Sequence, residues 1–388
     1  MSDASKPAPA KLLADAVIPV GMFLPFALVT TLFALWGFAN DVTNPLVRAF
    51  QEVFLISSAK SGLVQTAFYG GYATMAIPAA IFIRRVSYKA GILVGLALYA
   101  TGALLVIPAS IMMSFWVFLI ALYVLTFGLA FLETTANPYI LAMGPESTAT
   151  RRLNFAQAFN PIGSLVGMVV ASQIVLASLG VQEFRKVQAT AIQKEHKAQY
   201  EANLAELERD PAAYQDALKA QEEDLAVAKN ELRGLNKKSD EYKEAQTEYK
   251  EDLIAVKDKR MPVEGKYQPM MPGRIDGKVR TALEGYAAGE TDFDIEDKAG
   301  NKKYENHQAM QSHDLNVIRL PYIVIGMVII AMFVVFAVTK LPKAGSDDRQ
   351  VHFFETLGRL LGNSRYLGGV VAKTFYVGAQ IMCWTFII

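Results

Sequence analysis

One cysteine, four histidines and a net charge of +1 leave this 388-residue chain little for the commonest chemistries. A lone Cys383, set in an apolar run, excludes an internal disulfide and any thiolate metal site; it reads as a small buried apolar residue. No other metal-ligand pattern stands out. The chain lacks the basic excess that nucleic-acid binding draws on, and its charge balance names no partner. The start does not read as a cleavable leader either. Its polar stretch, Met1 to Ala16 with Lys6 and Lys11, runs into an apolar segment too long for a signal peptide, which reads as a retained first span.

What is present is segregated. Hydrophobic residues make up 52% and charged residues 19%, with a mean hydropathy of +0.24. Long apolar blocks flank a dense charged middle. A membrane helix needs about 20 mostly apolar residues. Seven segments qualify, at about 20–48, 60–83, 88–108, 114–143, 153–179, 318–340 and 367–388. The expected fold is all-α, a multi-spanning membrane helix bundle. Arg84, Arg85 and Lys89 fall between spans two and three, Arg151 and Arg152 between four and five, and Lys340, Lys343 and Arg349 after span six. The turn from Ala109 to Met113 carries no charge. Positive residues gather on the cytoplasmic side, which places the N-terminus in the cytoplasm of a cell-membrane (inner-membrane) protein and the long segment after span five outside. The basic cluster at 84–89 is read first as topology signal and second as a gate element.

Three regions follow. Residues 1–182 hold the tail and spans one to five. Residues 183–315 form a charged extracytoplasmic insertion. Residues 316–388 hold spans six and seven around a cytoplasmic linker at 341–366. Span seven runs into Cys-Trp-Thr-Phe-Ile-Ile without a polar flank, so the chain is expected to be the N-terminal part of a longer transporter. Within the insertion, Leu218, Leu225 and Leu232, then Tyr242, Tyr249 and Val256, recur at a seven-residue step. That predicts a short coiled hairpin, interrupted at Asp210-Pro211 and near Gly234. From Pro262 to Asn316, Gly, Pro and mixed charge predict loop. The insertion reads either as a solvated accessory hairpin or as a docking platform for an extracytoplasmic protein partner.

Glu133 is the most informative residue. It is the one charge between Ser114 and Met143, and a carboxyl at mid-bilayer depth costs about 2.5–3.5 kcal/mol, so such residues are rare and mostly functional. Its surroundings, Leu132-Glu-Thr-Thr-Ala-Asn-Pro-Tyr139, match span one, Asp41-Val-Thr-Asn-Pro-Leu-Val47. Each has an acid three or four residues before an Asn-Pro pair. Inverted three-helix repeats make spans one and four equivalent in many transporters. Pro45 and Pro138 lack an N–H and free the carbonyls of Asp41 and Thr134, which is tolerated where a cavity receives them. Two plainer readings stand beside this one: Asp41 as an interfacial residue on a frayed helix end, and Glu133 as half of a structural salt bridge.

Other intramembrane polar groups suit the same cavity: Asn44, Asn137, Gln65, Tyr69 and Tyr72, then Asn154, Gln157 and Asn160 in span five, with 157 and 160 on one helical face, and Tyr376 and Gln380 in span seven. Amides and phenols beside aromatic faces suit a sugar better than an ion or a lipid. Singly, each amide also serves as helix–helix glue.

Several motifs together resemble the fucose permease branch of the major facilitator superfamily: Gln65-Thr-Ala-Phe-Tyr-Gly-Gly-Tyr72, Ser87-Tyr-Lys-Ala-Gly-Ile92, Leu132 to Tyr139, Gly144-Pro-Glu-Ser147, Leu153-Asn-Phe-Ala-Gln-Ala-Phe-Asn160, and Tyr376-Val-Gly-Ala-Gln-Ile-Met-Cys-Trp384. The resemblance covers all seven spans. It implies a sugar–proton symporter of twelve helices in two bundles of six, about five spans more than this chain holds, with the proton as coupling ion and no cofactor. Glu133 matches the family's span-four acid, associated with sugar binding and coupling, and Gln157 and Asn160 its span-five amides. The family's span-one acid falls where this chain has Asn44; Asp41, nearly one turn earlier, could supply the carboxylate, or coupling is altered.

The expected function is proton-driven uptake of a hexose or deoxyhexose such as L-fucose. The competing expectations are an uncoupled facilitator, a symporter for another hexose, and a non-transporting receptor or scaffold using the outer hairpin. An enzyme is not expected: Asp41 is the only aspartate within the spans, which excludes an intramembrane aspartyl protease.

Overall fold

A computed structural model describes residues 17–291, 293, 302–342 and 353–386. Lys343 and Arg349, and the side chains of Gln380 and Cys383, lie outside the described residues. Six helices there are long and apolar enough to cross a membrane: Phe23–Val53, Ser58–Arg85, Tyr88–Ile111, Phe115–Ala142, Glu146–Ser178 and His307–Val338. The seventh expected segment lies on the helix Ser364–Phe386. The architecture is that of a multi-pass membrane protein. Trp116, Ile120, Leu165, Val324 and Met327 are exposed on the outer faces of these helices, as apolar side chains that meet lipid should be.

Span one breaks where its sequence demands. It is helical over Phe23–Thr43, turns at Asn44-Pro45 and resumes over Leu46–Val53. Span four keeps one helix, Phe115–Ala142, straight through Pro138. Span five is irregular: Ala149–Gln157, then Phe159–Val169, then a π-helical turn over Val170–Val175.

Spans one and five pack together, as do two and four, three and four, and three and six. Exchanging one with four and two with five turns the first pairing into the second. That is the pattern an inverted three-helix repeat produces. The close pairs meet through glycine. A Cβ at Gly163 would overlap the carbonyl of Ala34, one at Gly37 the carbonyl of Asn160, and ones at Gly102 and Gly128 the backbones of Leu125 and Tyr99. Small residues let backbones approach where no hydrophobic driving force acts between helices.

Two basic residues, read above as topology markers, also cap helix ends. Arg152 is fully buried. It donates from Nε to Ile140 O at 3.2 Å, from one terminal nitrogen to Leu141 O at 2.8 Å and Pro145 O at 3.0 Å, and from the other to Thr148 Oγ1 at 2.6 Å and Val17 O at 3.4 Å. The planar fork thus satisfies the carbonyls at the end of span four and complements its dipole. Arg152→Ala is expected to lower stability by about 3 kcal/mol, since several buried acceptors lose a charged donor together. Thermal unfolding of the purified protein in detergent measures this, with Arg151→Ala as the exposed control. Lys89 serves span six likewise, donating to Ala337 O at 2.7 Å and Thr339 O at 2.9 Å. Arg84 and Arg85 are exposed.

The chain divides into two compact units, Met1–Gln182 with Glu296–Ile388, and Glu183–Ile295. In the second, helices Pro211–Gly234 and Asp240–Arg260 pair as a hairpin. Asp210 and Ser239 cap their starts by accepting from Ala213 N and Tyr242 N, both at 3.1 Å. Leu218 and Val256 are buried; Leu225, Leu232, Tyr242 and Tyr249 are half-buried. The expected loop from Pro262 to Asn316 needs correction at two places. Pro272–Ala288 is a helix, opened by Pro272 and closed by Gly289 at φ +73°, with Val279, Leu283 and Tyr286 on its buried face. The helix of span six begins at His307, capped by Asn306 and well before 318.

Near the start of the helix His307–Val338, Asp314 is buried and accepts from Gly180 N at 2.6 Å and Val181 N at 2.9 Å. It therefore holds the first turn of the helix Gly180–Arg209.

Candidate functional site

The sequence-derived site residues fall into two groups joined by span two. In the first, Gln65 Nε2 donates to Asn44 Oδ1 at 3.1 Å, and Asn44 Nδ2 donates to Asp41 Oδ1 at 3.3 Å. The broken helix makes this possible, because the turn at Asn44-Pro45 frees the amide to face both neighbours. Asn44 is thus the link between Gln65 and the Asp41 carboxylate. Tyr69, one turn along from Gln65, lies within electrostatic reach of Asp41.

The second group surrounds Glu133. A cavity of about 430 Å³ is lined by Tyr72, Ala73, Ala76, Ala130, Glu133, Thr134, Asn137 and Pro138. Small alanines from spans two and four create the room. Asn137 donates to the backbone carbonyl of Glu133 at 3.1 Å, and Gln157 Nε2 donates to Asn137 Oδ1 at 3.3 Å. Among the described residues the Glu133 carboxylate is in no hydrogen bond and in no ion pair. A half-buried carboxyl left this way is available to a proton or to a solute hydroxyl.

Span two joins the groups, carrying Tyr69 within electrostatic reach of Asp41 and Tyr72 in the lining of the Glu133 cavity. Other residues go elsewhere. Gln157 and Asn160 do not act together: Asn160 Nδ2 donates to Phe33 O at 3.3 Å, toward span one. Asn154 is exposed. Tyr376 is exposed on the span-seven helix, with Lys373 Nζ 5.1 Å from its ring centroid. Lys373 itself was not among the sequence-derived candidates. The signal was present, since it is the one charge in the segment 367–388.

Helices paired as an inverted repeat would pair thus surround a cavity that Glu133 lines. Residues 22–185 match the model of the Major Facilitator Superfamily, and the chain has an all-helical fold of that type. It is similar to the L-fucose-proton symporter of Haemophilus influenzae, at 40% identity over 373 residues, 96% of this chain and 62% of the relative. The L-fucose-proton symporter of Escherichia coli is 44% identical over 156 residues, covering 40% of this chain and 36% of the relative. A glucose/galactose transporter of Brucella abortus is 39% identical over 150 residues, 39% of this chain and 36% of the relative. Among solved structures, a Major Facilitator Superfamily transporter, FucP, in the outward conformation is matched with TM-score 0.54 and 25% identity, over 94% of this chain and 62% of that one. The chain therefore spans less than two-thirds of the length of these relatives. Fold and relatives are those of transporters, not enzymes. The Haemophilus match extends over all but 4% of this chain, so it runs through most of the Glu183–Ile295 unit.

Proposed function

We propose that this chain forms the greater part of a proton-coupled sugar symporter that moves a hexose or deoxyhexose, such as L-fucose, by alternating access. The observation that carries the reading is the Glu133 carboxylate, unpaired among the described residues, in a cavity between spans two and four. Glu133 and Asp41 are the proton-coupling carboxylates. Glu133, Asn44, Asn137, Gln157, Asn160, Gln65 and Tyr69, with Tyr376 and Gln380 of span seven, supply donors and acceptors for sugar hydroxyls. The relatives' names support both the coupling and the substrate class, L-fucose for two and glucose or galactose for a third.

The reaction adds one proton to a carboxylate oxygen on the outer side and returns it on the inner side, with no covalent change in the sugar. Only the neutral carboxyl crosses the low-dielectric step cheaply. The basic residues after spans two, four and six put the N-terminus in the cytoplasm of the inner membrane and the Glu183–Ile295 unit outside, where an extracytoplasmic protein could dock. Uptake of a labelled panel of fucose, galactose, glucose and mannose into vesicles holding the full-length protein tests the reading. Accumulation of one or more sugars only with an inward pH gradient is expected. Equilibration without accumulation would leave an uncoupled facilitator, and no sugar movement at all would leave the receptor or scaffold.

A further inference from the structure

Span six grips span one on both sides of its break. Tyr322 and Thr43 are buried, and their hydroxyl oxygens stand 3.1 Å apart. Thr43 gives its single hydroxyl hydrogen to Ala39 O at 2.9 Å, so the Tyr322 phenol is the donor in the shared bond. About three turns earlier on span six, Gln311 Nε2 donates at 2.8 Å to the carbonyl of Val53, the last residue of the helix Leu46–Val53. The steps from 311 to 322 and from 43 to 53 rise about 16 and 15 Å along a helix, so the two bonds fit one antiparallel seam. Between these anchors span one is thinly bonded. Pro45 has no N–H, and the bonds that bridge the turn, Asn44 N to Asn40 O and Val47 N to Asn44 O, are both 3.3 Å long. Thr43 and Asn44 are neighbours, so their side chains leave the helix about 100° apart. Thr43 meets span six while Asn44 meets Gln65 on span two. Whatever fixes the rotation of Thr43 therefore fixes the direction of the Asn44 amide.

We propose that Tyr322 is a positioning residue for the Asp41–Asn44–Gln65 chain. Its bond to Thr43 holds the end of the helix Phe23–Thr43 at the rotation that turns the Asn44 amide to the Asp41 carboxylate. Gln311 holds the other end of the seam, so Leu46–Val53 travels with span six when the break bends. The Tyr322 bond lies where no water competes for either hydroxyl, which makes it a firm anchor. The inference rests on Asp41 being a coupling carboxylate and adds the group that aims its partner. Tyr322 touches neither sugar nor proton in this scheme; it acts through Thr43 and Asn44.

Hydrogen exchange on the full-length protein in lipid nanodiscs tests the clamp without sugar. Tyr322→Phe removes one oxygen and leaves the Thr43 hydroxyl bonded to Ala39 O, so it strands no donor. It is expected to speed exchange about ten-fold at the amides of Asn44, Leu46 and Val47, the scale of one buried hydrogen bond. Span three, Tyr88–Ile111, is expected to keep the parent rate. In vesicles under a pH gradient, the same variant is expected to accumulate sugar about five-fold less while counterflow stays within about two-fold of the parent. Thr43→Ser, which keeps the hydroxyl, is expected to match the parent in both assays. Thr43→Val removes the same bond from the other side and replaces Tyr322→Phe should that variant not fold. Unchanged exchange at the break overturns the clamp. Faster exchange with accumulation and counterflow both unchanged, or both reduced alike, overturns the positioning role. A parent that accumulates no sugar refutes symport, and exchange at the break still decides the clamp, so the two readings fail separately.

Discussion

Gly163→Ala is expected to destabilise the bundle strongly, although it adds only one methyl group. Span five presents Gly163 to the backbone of Ala34, and an added Cβ would overlap its carbonyl oxygen. One turn on, a Cβ at Gly167 would come within 2.7 Å of Phe38 O, and from the opposite side Gly37 faces the carbonyl of Asn160. None of these neighbours is a flexible side-chain end that could swing away. Spans one and five would have to separate along the whole seam. Overpacking usually costs about 1–3 kcal/mol, and a backbone-to-backbone clash belongs at or above the upper end. The expected result is a loss of about 3 kcal/mol for Gly163→Ala and no monodisperse protein for Gly163→Leu, read by thermal unfolding and gel filtration in detergent. Gly277→Ala is the control, because nothing lies within 4 Å of its would-be Cβ and alanine favours a helix. Equal losses at both positions would refute the seam.

The second large effect concerns coupling. A membrane potential of 100 mV is worth about 2.3 kcal/mol per charge, which sustains roughly a fifty-fold concentration ratio at 1.4 kcal/mol per decade. One titrating carboxylate is enough to use it. Asp41→Asn keeps a side chain that can still accept from the Asn44 amide, but it cannot ionise. Accumulation is expected to fall to a ratio of one, while counterflow exchange of sugar continues. Glu133→Ala is expected to weaken sugar binding about ten-fold or more, since a hydrogen bond from a charged group contributes about 1.5–3 kcal/mol. Vesicle uptake under an imposed pH gradient, counterflow and calorimetric titration separate these outcomes. Unchanged accumulation in Asp41→Asn would remove its coupling role, and an unchanged titration in Glu133→Ala would remove that residue from the sugar site.

Hydropathy was enough to read the bundle, because each span must satisfy its own backbone inside lipid. The Asn-Pro pair was enough to place the break in span one, since proline removes a donor wherever it stands. It did not tell spans one and four apart: the same pair leaves Phe115–Ala142 a single helix. In Pro272–Ala288, glycine and charge mask Val279, Leu283 and Tyr286, whose spacing of four and three is itself helical.

Within the site, the association of Glu133, Asn137 and Gln157 was legible from residue type and span equivalence. The separation of Gln157 from Asn160 was not. Helical spacing assumes an uninterrupted helix, and the chain is interrupted at Ala158 between them. Lys373 went unseen for a different reason. A hydropathy window averages one ammonium into twenty apolar neighbours, whereas electrostatics does not average.

The clamp made by Asp314 has a practical consequence. Its two oxygens hold the amides of Gly180 and Val181, and at Gly180 a side chain would collide with Met310 and Tyr304. Chimaeras that exchange or delete the Glu183–Ile295 unit should therefore be spliced beyond Val181 and before Tyr304, leaving the carboxylate its two amides. A splice before Gly180 would replace that glycine and drive an incoming side chain against Met310 and Tyr304.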